Sequence, residues 1–100
     1  MSLRDYQSRF VKMIAELILF AYEQGYELTF GDAMAKIGHK KNSNHYIRLA
    51  IDLNLFKDGR YLQTSEDHTV LGEKWESMGG AWGGRFNDGN HYSLEYEGRK

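Results

Sequence analysis

The sequence predicts an α+β domain, with a small, mostly antiparallel sheet packed against two helices. Three observations carry that prediction. Apolar residues recur at helical spacing near the N-terminus, an alternating apolar–polar run occupies residues 48–55, and an Asp-Gly turn signal follows it directly. The order helix, strand, strand, hairpin, helix, strand segregates helices to one side of a sheet. A chain of 100 residues makes a single domain, 1–100, able to bury one core.

From Asp5 to Gln24, Phe10, Val11, Ile14, Leu17, Ile18, Ala21 and Tyr22 recur at three- and four-residue steps, with Arg9, Lys12, Glu16 and Glu23 on other faces. That is an amphipathic helix in need of a covering layer, and Gly25 stops it. Tyr26, Leu28 and Phe30 then alternate with Glu27 and Thr29 as a short strand. Residues 31–44 are polar and irregular, a loop with at most one helical turn. In the next strand Leu49, Ile51, Leu53 and Leu55 point one way, and Arg48, Ala50, Asp52 and Asn54 the other. "KDGR" at 57–60 is a hairpin turn, and Tyr61 begins the return strand. A second helix is expected from Glu66 to Met78. Thr64 or Ser65 would cap it, Leu71, Trp75 and Met78 would share its buried face, and Gly79-Gly80 would end it. Trp75 is therefore a core residue, whereas Trp82, in the glycine-rich connection "GGAWGGRFNDGN", suits packing or a substrate groove equally. "HYSLEYE" closes the fold as a strand, with His91, Ser93 and Glu95 opposite Tyr92, Leu94 and Tyr96.

Composition excludes several functions. Hydrophobic residues at 41% and aromatic residues at 14% rule out disorder. Thirteen basic against 14 acidic side chains, a net charge of −1, leave no footprint for nucleic acid. "GGAWGG" lacks the lysine and helix of a phosphate loop. Without cysteine, a metal site must use His, Asp or Glu. "MIAELILFAY" is too short, and too interrupted by Glu16, to insert stably in a membrane, and no signal peptide is visible. Synthesis in the cytoplasm is the expectation.

His45 and Asp52 stand seven residues apart, an odd number, so on one strand they would face opposite sides. The conflict disappears if His45 precedes the strand in a loop. Asp52 then lies on the face away from the leucines, with Ala50 leaving room beside it. If the last strand neighbours this one, His91 approaches Asp52 from the same side. Two imidazoles and a carboxylate with a fourth position open suit a catalytic zinc site, which acidifies water and polarises a carbonyl. Asp88, in "NDGNH" three residues before His91, is placed to serve as general base. Spacing also permits the plainer reading, in which His45 is a loop residue, His91 a strand-edge residue and Asp88-Gly89 a turn. His68 and His39 read as solvated helix-start and loop residues.

Ser43, His45, Ala50 and Asp52 match the "SxHxxGxAxD" signature of zinc-dependent D-Ala-D-Ala carboxypeptidases of the VanY and VanX type. "HYIRLAIDLNLFKDGRYL", a helix ending near "WESMGG", and "WGGRFNDGNHYSLEY" resemble the phage L-alanyl-D-glutamate endopeptidases (endolysins) of that family over roughly residues 25 to 97. The resemblance implies the small zinc-peptidase fold shared by DD-peptidases and hedgehog-type domains, with Zn2+ on His45, Asp52 and His91 and Asp88 as catalytic base. It implies a hydrolase of peptidoglycan stem peptides that reaches the cell wall after release. Two positions depart from the family: Arg48 stands at the signature glycine, and Ala35, in "GDAMA", replaces an arginine that anchors substrate. Lys36, Lys41 or Arg85 could supply a cation instead, and Ser43, Arg48 and Arg85 are the candidate substrate contacts. The alternative is an impaired member that binds zinc and cell-wall peptide without cleaving. A third possibility is a structural domain whose three ligand positions bind nothing.

Overall fold

A computed structural model describes residues 2–33 and 43–100 of the chain. It contains two α-helices, α1 (Leu3–Glu23) and α2 (Thr69–Ser77), and five strands: β1 (Glu27–Phe30), β2 (Ala50–Lys57), β3 (Arg60–Leu62), β4 (Ala81–Trp82) and β5 (His91–Ser93). The sheet runs β1-β2-β5-β4, with β3 also paired to β2 beyond the end of β5, and every pairing is antiparallel. The α+β architecture predicted from the sequence is therefore the one observed.

Helix α1 begins at a reciprocal cap. The Ser2 hydroxyl accepts from the Asp5 N–H, and the Asp5 carboxylate accepts from the Ser2 N–H. Gly25, at φ 87°, turns the chain out of the helix. The buried stripe is Phe10, Met13, Ile14, Leu17 and Ala21. Val11 and Tyr22, expected on that stripe, are exposed, and Met13 takes the place of Val11. The helix packs on α2 and β1, so a narrower arc is covered than its apolar residues span. Phe30 is likewise exposed at the end of edge strand β1.

Strand β2 is the spine of the molecule. Leu49, Leu53 and Leu55 are fully buried and Ile51 nearly so, while Asp52 and Asn54 on the other face stay partly accessible. Each of these leucines contributes about 1.5–3 kcal/mol by burial. Asp58 and Gly59, both at positive φ, form the two-residue turn to β3. Arg48 does not belong to the strand, contrary to the alternation read from the sequence. It adopts φ 59°, ψ 36° and ends a 3-10 turn, Asn44–Ile47.

The second helical region starts later than its sequence pattern indicates. Glu66–His68 form a 3-10 turn, and the α-helix runs from Thr69 to Ser77. Thr64 and Asp67 cap that turn reciprocally, through the Thr64 hydroxyl and the Asp67 carboxylate. Trp75 is fully buried, edge-on to Phe10 and Tyr92, and its Nε1–H donates to the carbonyls of Ser93 and Ala81. Trp82 is also a packing residue: it is buried, and its Nε1–H donates to the Gly89 carbonyl at 2.8 Å. Gly72 lets the Trp82 ring lie directly on α2, because a Cβ there would overlap the indole.

Three further expectations change. The glycine-rich connection contains edge strand β4 and a 3-10 turn, Gly83–Phe86. His68 is buried rather than solvated, and its Nδ1 meets the Tyr92 hydroxyl at 2.7 Å. The final strand stops at Ser93. Tyr96 and Arg99 then pair with each other around Glu97 and Gly98, both at positive φ.

Candidate metal centre

The 3-10 turn and the β2–β5 pairing assemble the site. Ser43 caps the turn, its hydroxyl accepting from the His45 N–H at 3.2 Å, and this points the His45 ring inward. Asp52 and His91 are direct cross-strand partners in the antiparallel register. Partners in such a register project from the same face of the sheet, so their side chains converge. His45 is about as buried as a core leucine, His91 is nearly so, and the Asp52 side chain is 20% exposed.

Three potential ligand atoms meet at this point. His45 Nε2 lies 3.1 Å from Asp52 Oδ1 and 3.2 Å from His91 Nδ1, and His91 Nδ1 lies 3.6 Å from Asp52 Oδ1. Tetrahedral zinc with N and O ligands at about 2.0–2.1 Å sets neighbouring ligand atoms about 3.3 Å apart. The spacing and the donor types both fit such an ion. Among the described residues, this is the one group of three or more His, Asp or Glu side chains able to hold a metal.

Electrostatics favour the same arrangement. Burial alone would raise the Asp52 pKa, but hydrogen bonds from His45 and His91 override it and hold the carboxyl at about 2. Burial would likewise lower His91. Asp52, the Lys100 carbonyl and Asp88 outweigh that effect, and the pKa is raised above the ordinary imidazole value. The cluster thus sets a negative carboxylate against two imidazoles, a donor set that suits a divalent cation.

Asp88 stands at the rim. Its Oδ2 is 4.0 Å from His91 Nδ1, and the side chain is half exposed. The surrounding turn is tightly held. Asp88 N–H donates to Gly83 O at 2.8 Å, His91 N–H to Asp88 O at 3.1 Å, and Gly89 N–H to the Ser65 hydroxyl at 3.0 Å. Gly83 permits this closeness, since a Cβ there would strike the Asp88 carbonyl and crowd His91.

The three candidate substrate contacts are placed differently. The Ser43 hydroxyl is engaged as a cap. Arg48 is exposed beside the His45 turn. Arg85 lies in a cleft of about 300 Å³ beside β4, together with Trp82, Phe86, Glu95 and Lys100. One edge of the Arg85 guanidinium donates to both Glu76 carboxylate oxygens, from Nη2 at 2.7 Å and Nε at 2.9 Å, so a substrate carboxylate would have to compete for that charge. Ala35, Lys36, His39 and Lys41 lie outside the described residues. The sequence reading missed Asn44, whose buried amide donates to the carbonyls of Leu94 and Arg99. No local signal marks that role, because both acceptors are about 50 residues away in the chain.

Comparison with curated proteins found no match. Comparison with protein families matched residues 37–94 to the family described as D-alanyl-D-alanine carboxypeptidase. That span takes in the His45 turn, Asp52, Asp88 and His91 and exceeds half of the chain. The chain therefore belongs to the D-alanyl-D-alanine carboxypeptidase family of peptidases.

Proposed function

We propose that this chain is a zinc-dependent peptidase that hydrolyses a peptide bond in bacterial peptidoglycan stem peptides. The bond would be L-Ala-D-Glu, as in the endolysins it resembles, or D-Ala-D-Ala. The observation that carries the proposal is the meeting of His45 Nε2, Asp52 Oδ1 and His91 Nδ1 at 3.1–3.6 Å, inside the family match.

His45, Asp52 and His91 would hold the zinc, which when bound supplies Lewis acidity for the scissile carbonyl and for water. Asp88 takes a proton from the attacking water and delivers it to the leaving amine. Its half-exposed carboxylate, next to His91 but outside the converging triad, suits a base that must reach solvent and substrate alike. The cleft beside β4 offers the substrate peptide a bed that borders the site, since Phe86 lies 6.0 Å from the His91 ring and Lys100 reaches it by its carbonyl. No described helix is long and apolar enough to cross a membrane, and the enzyme would act on the wall after release.

Elemental analysis of purified protein beside His91→Ala tests the metal; about one zinc per chain, lost in the variant, is expected. Asp88→Asn should then keep its zinc while hydrolysis of stem peptides falls roughly 100-fold or more. Normal turnover by that variant would remove Asp88 from its role. A second reading, peptide binding without cleavage, draws on the Glu76 carboxylate, which already pairs with Arg85 in the cleft. Saturable association of a stem peptide with no hydrolysis would establish it.

A further inference from the structure

The sheet face that carries Asp52 and His91 continues away from the metal group along β2. Side chains two residues apart on a strand share a face, so Asn54 and Phe56 follow Asp52 at steps of about 7 Å. The register sets Thr29 of β1 opposite Asn54, and Tyr61 of β3 opposite Phe56. Asn54 Nδ2 donates to the Thr29 hydroxyl at 3.2 Å, and the Tyr61 hydroxyl donates to Asn54 Oδ1 at 3.4 Å. The Tyr61 and Phe56 rings stack, with centroids 5.0 Å apart and planes 22° from parallel. Thr29 and Tyr61 are exposed and Asn54 is half-buried, so the patch is open to solvent. In sheet order it lies on the opposite side of the metal group from the cleft beside β4.

A side-chain amide has two N–H groups and two oxygen lone pairs. The bonds to Thr29 and Tyr61 orient the Asn54 amide and leave one of each for a ligand. The half-exposed Tyr61 ring adds a flat apolar face, whose negative quadrupole attracts the polarised C–H groups of a saturated ring. Thr29, Asn54, Phe56 and Tyr61 include no cation, and Glu27 stands opposite Phe56, so a substrate carboxylate would be repelled there. We propose that this patch is a saccharide subsite: Asn54 and Tyr61 bind the sugar to which a stem peptide is attached. This rests on the peptidase reading above and refines it, because distance selects the bond. When L-Ala-D-Glu is cut, L-Ala and its lactyl link separate the scissile carbonyl from the sugar, about 7 Å of extended chain. That matches the step from Asp52 to Asn54. When D-Ala-D-Ala is cut, three further residues intervene and carry the sugar about 10 Å farther, past Phe56. The patch therefore fits cleavage next to the sugar, at L-Ala-D-Glu.

NMR titration of the metal-free protein tests the subsite without requiring catalysis. The probes are N-acetylmuramoyl-L-alanyl-D-isoglutamine and the same dipeptide without its sugar. The sugar-bearing probe should shift the Asn54 side-chain amide and the Tyr61 ring, and the bare dipeptide should leave both in place. Tyr61→Leu should weaken binding of the sugar-bearing probe about three- to tenfold, and Tyr61→Phe, which keeps the ring, should weaken it less. Asn54→Ala should cost about three- to tenfold through its lost hydrogen bonds. The same spectra report whether each variant is folded. Equal shifts from both probes, no shift at Asn54 and Tyr61, or unchanged affinity in folded Tyr61→Leu and Asn54→Ala would overturn the proposal. With zinc bound, kcat/KM for a sugar-bearing stem peptide should exceed that for the bare peptide about three- to tenfold, and Tyr61→Leu should bring the ratio toward one. A ratio of one in wild type would also overturn it. Should no stem peptide be cleaved, the function proposed above fails, while the titration still decides whether the patch takes a sugar.

Discussion

Arg48 offers a sharp test of what the backbone of the His45 turn requires. It occupies φ 59°, ψ 36°, the left-handed region, between the His45 turn and strand β2, and its side chain is exposed. The signature it resembles has glycine at this position. A left-handed conformation costs an L-residue roughly 1–2 kcal/mol. Glycine escapes that cost but loses more freedom on folding, about 0.5–1 kcal/mol. Arg48→Gly should therefore stabilise the protein by about 0.5–1 kcal/mol, which at 4–8 °C per kcal/mol raises the midpoint by about 2–8 °C. Arg48→Val, β-branched at positive φ, should lower stability by roughly 1–2 kcal/mol. Thermal unfolding of metal-free protein, followed by circular dichroism, measures both. A glycine variant no more stable than wild type, or a valine variant equal to it, would refute the conformational account of the signature glycine. Stem-peptide kinetics on the glycine variant would then separate backbone from contact: a raised KM at higher stability assigns Arg48 to the substrate.

Other predictions concern buried histidines and close packing. Burial holds the His68 pKa near 4 against an ordinary 6.5, so the fold favours its neutral form. That contribution is complete above about pH 6.5 and is lost as pH falls toward 4, some 3 kcal/mol in all. Urea unfolding at several pH values should show this loss and His68→Gln should flatten it; equal slopes would exclude His68 as the source. Zinc must displace a proton from His91, whose pKa is raised, so its affinity should weaken roughly tenfold per unit as pH drops below that titration. A pH-independent affinity in chelator competition would mean that His91 is not a ligand. Gly83→Ala would drive a Cβ into the Asp88 carbonyl and His91, so it should destabilise by about 1–3 kcal/mol and reduce zinc content. A variant with wild-type stability and metal would show that the turn can yield.

Much of the frame was legible in the chain because it rests on local periodicity. The alternation of Leu49, Ile51, Leu53 and Leu55 states which face of β2 is buried, whatever it packs against. Asp58-Gly59 states the hairpin for a similar reason, since its positive φ values depend on the residues themselves. His45, Asp52 and His91 could be named as a candidate set, and the odd spacing of the first two already required a break before the strand. Arg48 at φ 59° is that break, although the alternating pattern had counted it within the strand. His68 was misjudged because nothing near it announces Tyr92, a partner 24 residues away.

By itself, then, the sequence determined the α+β class, the buried face of β2, the turn at Asp58-Gly59 and the donor types available to a metal. The tertiary structure alone decided that β5 lies beside β2 with Asp52 opposite His91, which turns a list of donors into a cluster. It also decided that the hairpin at Gly98 returns to His91 and Asn44, that Arg85 is held by Glu76, and that His68 is enclosed. The reason is range. Periodicity and turn chemistry act over a few residues, whereas each of these contacts joins elements whose proximity depends on the packing of the whole sheet.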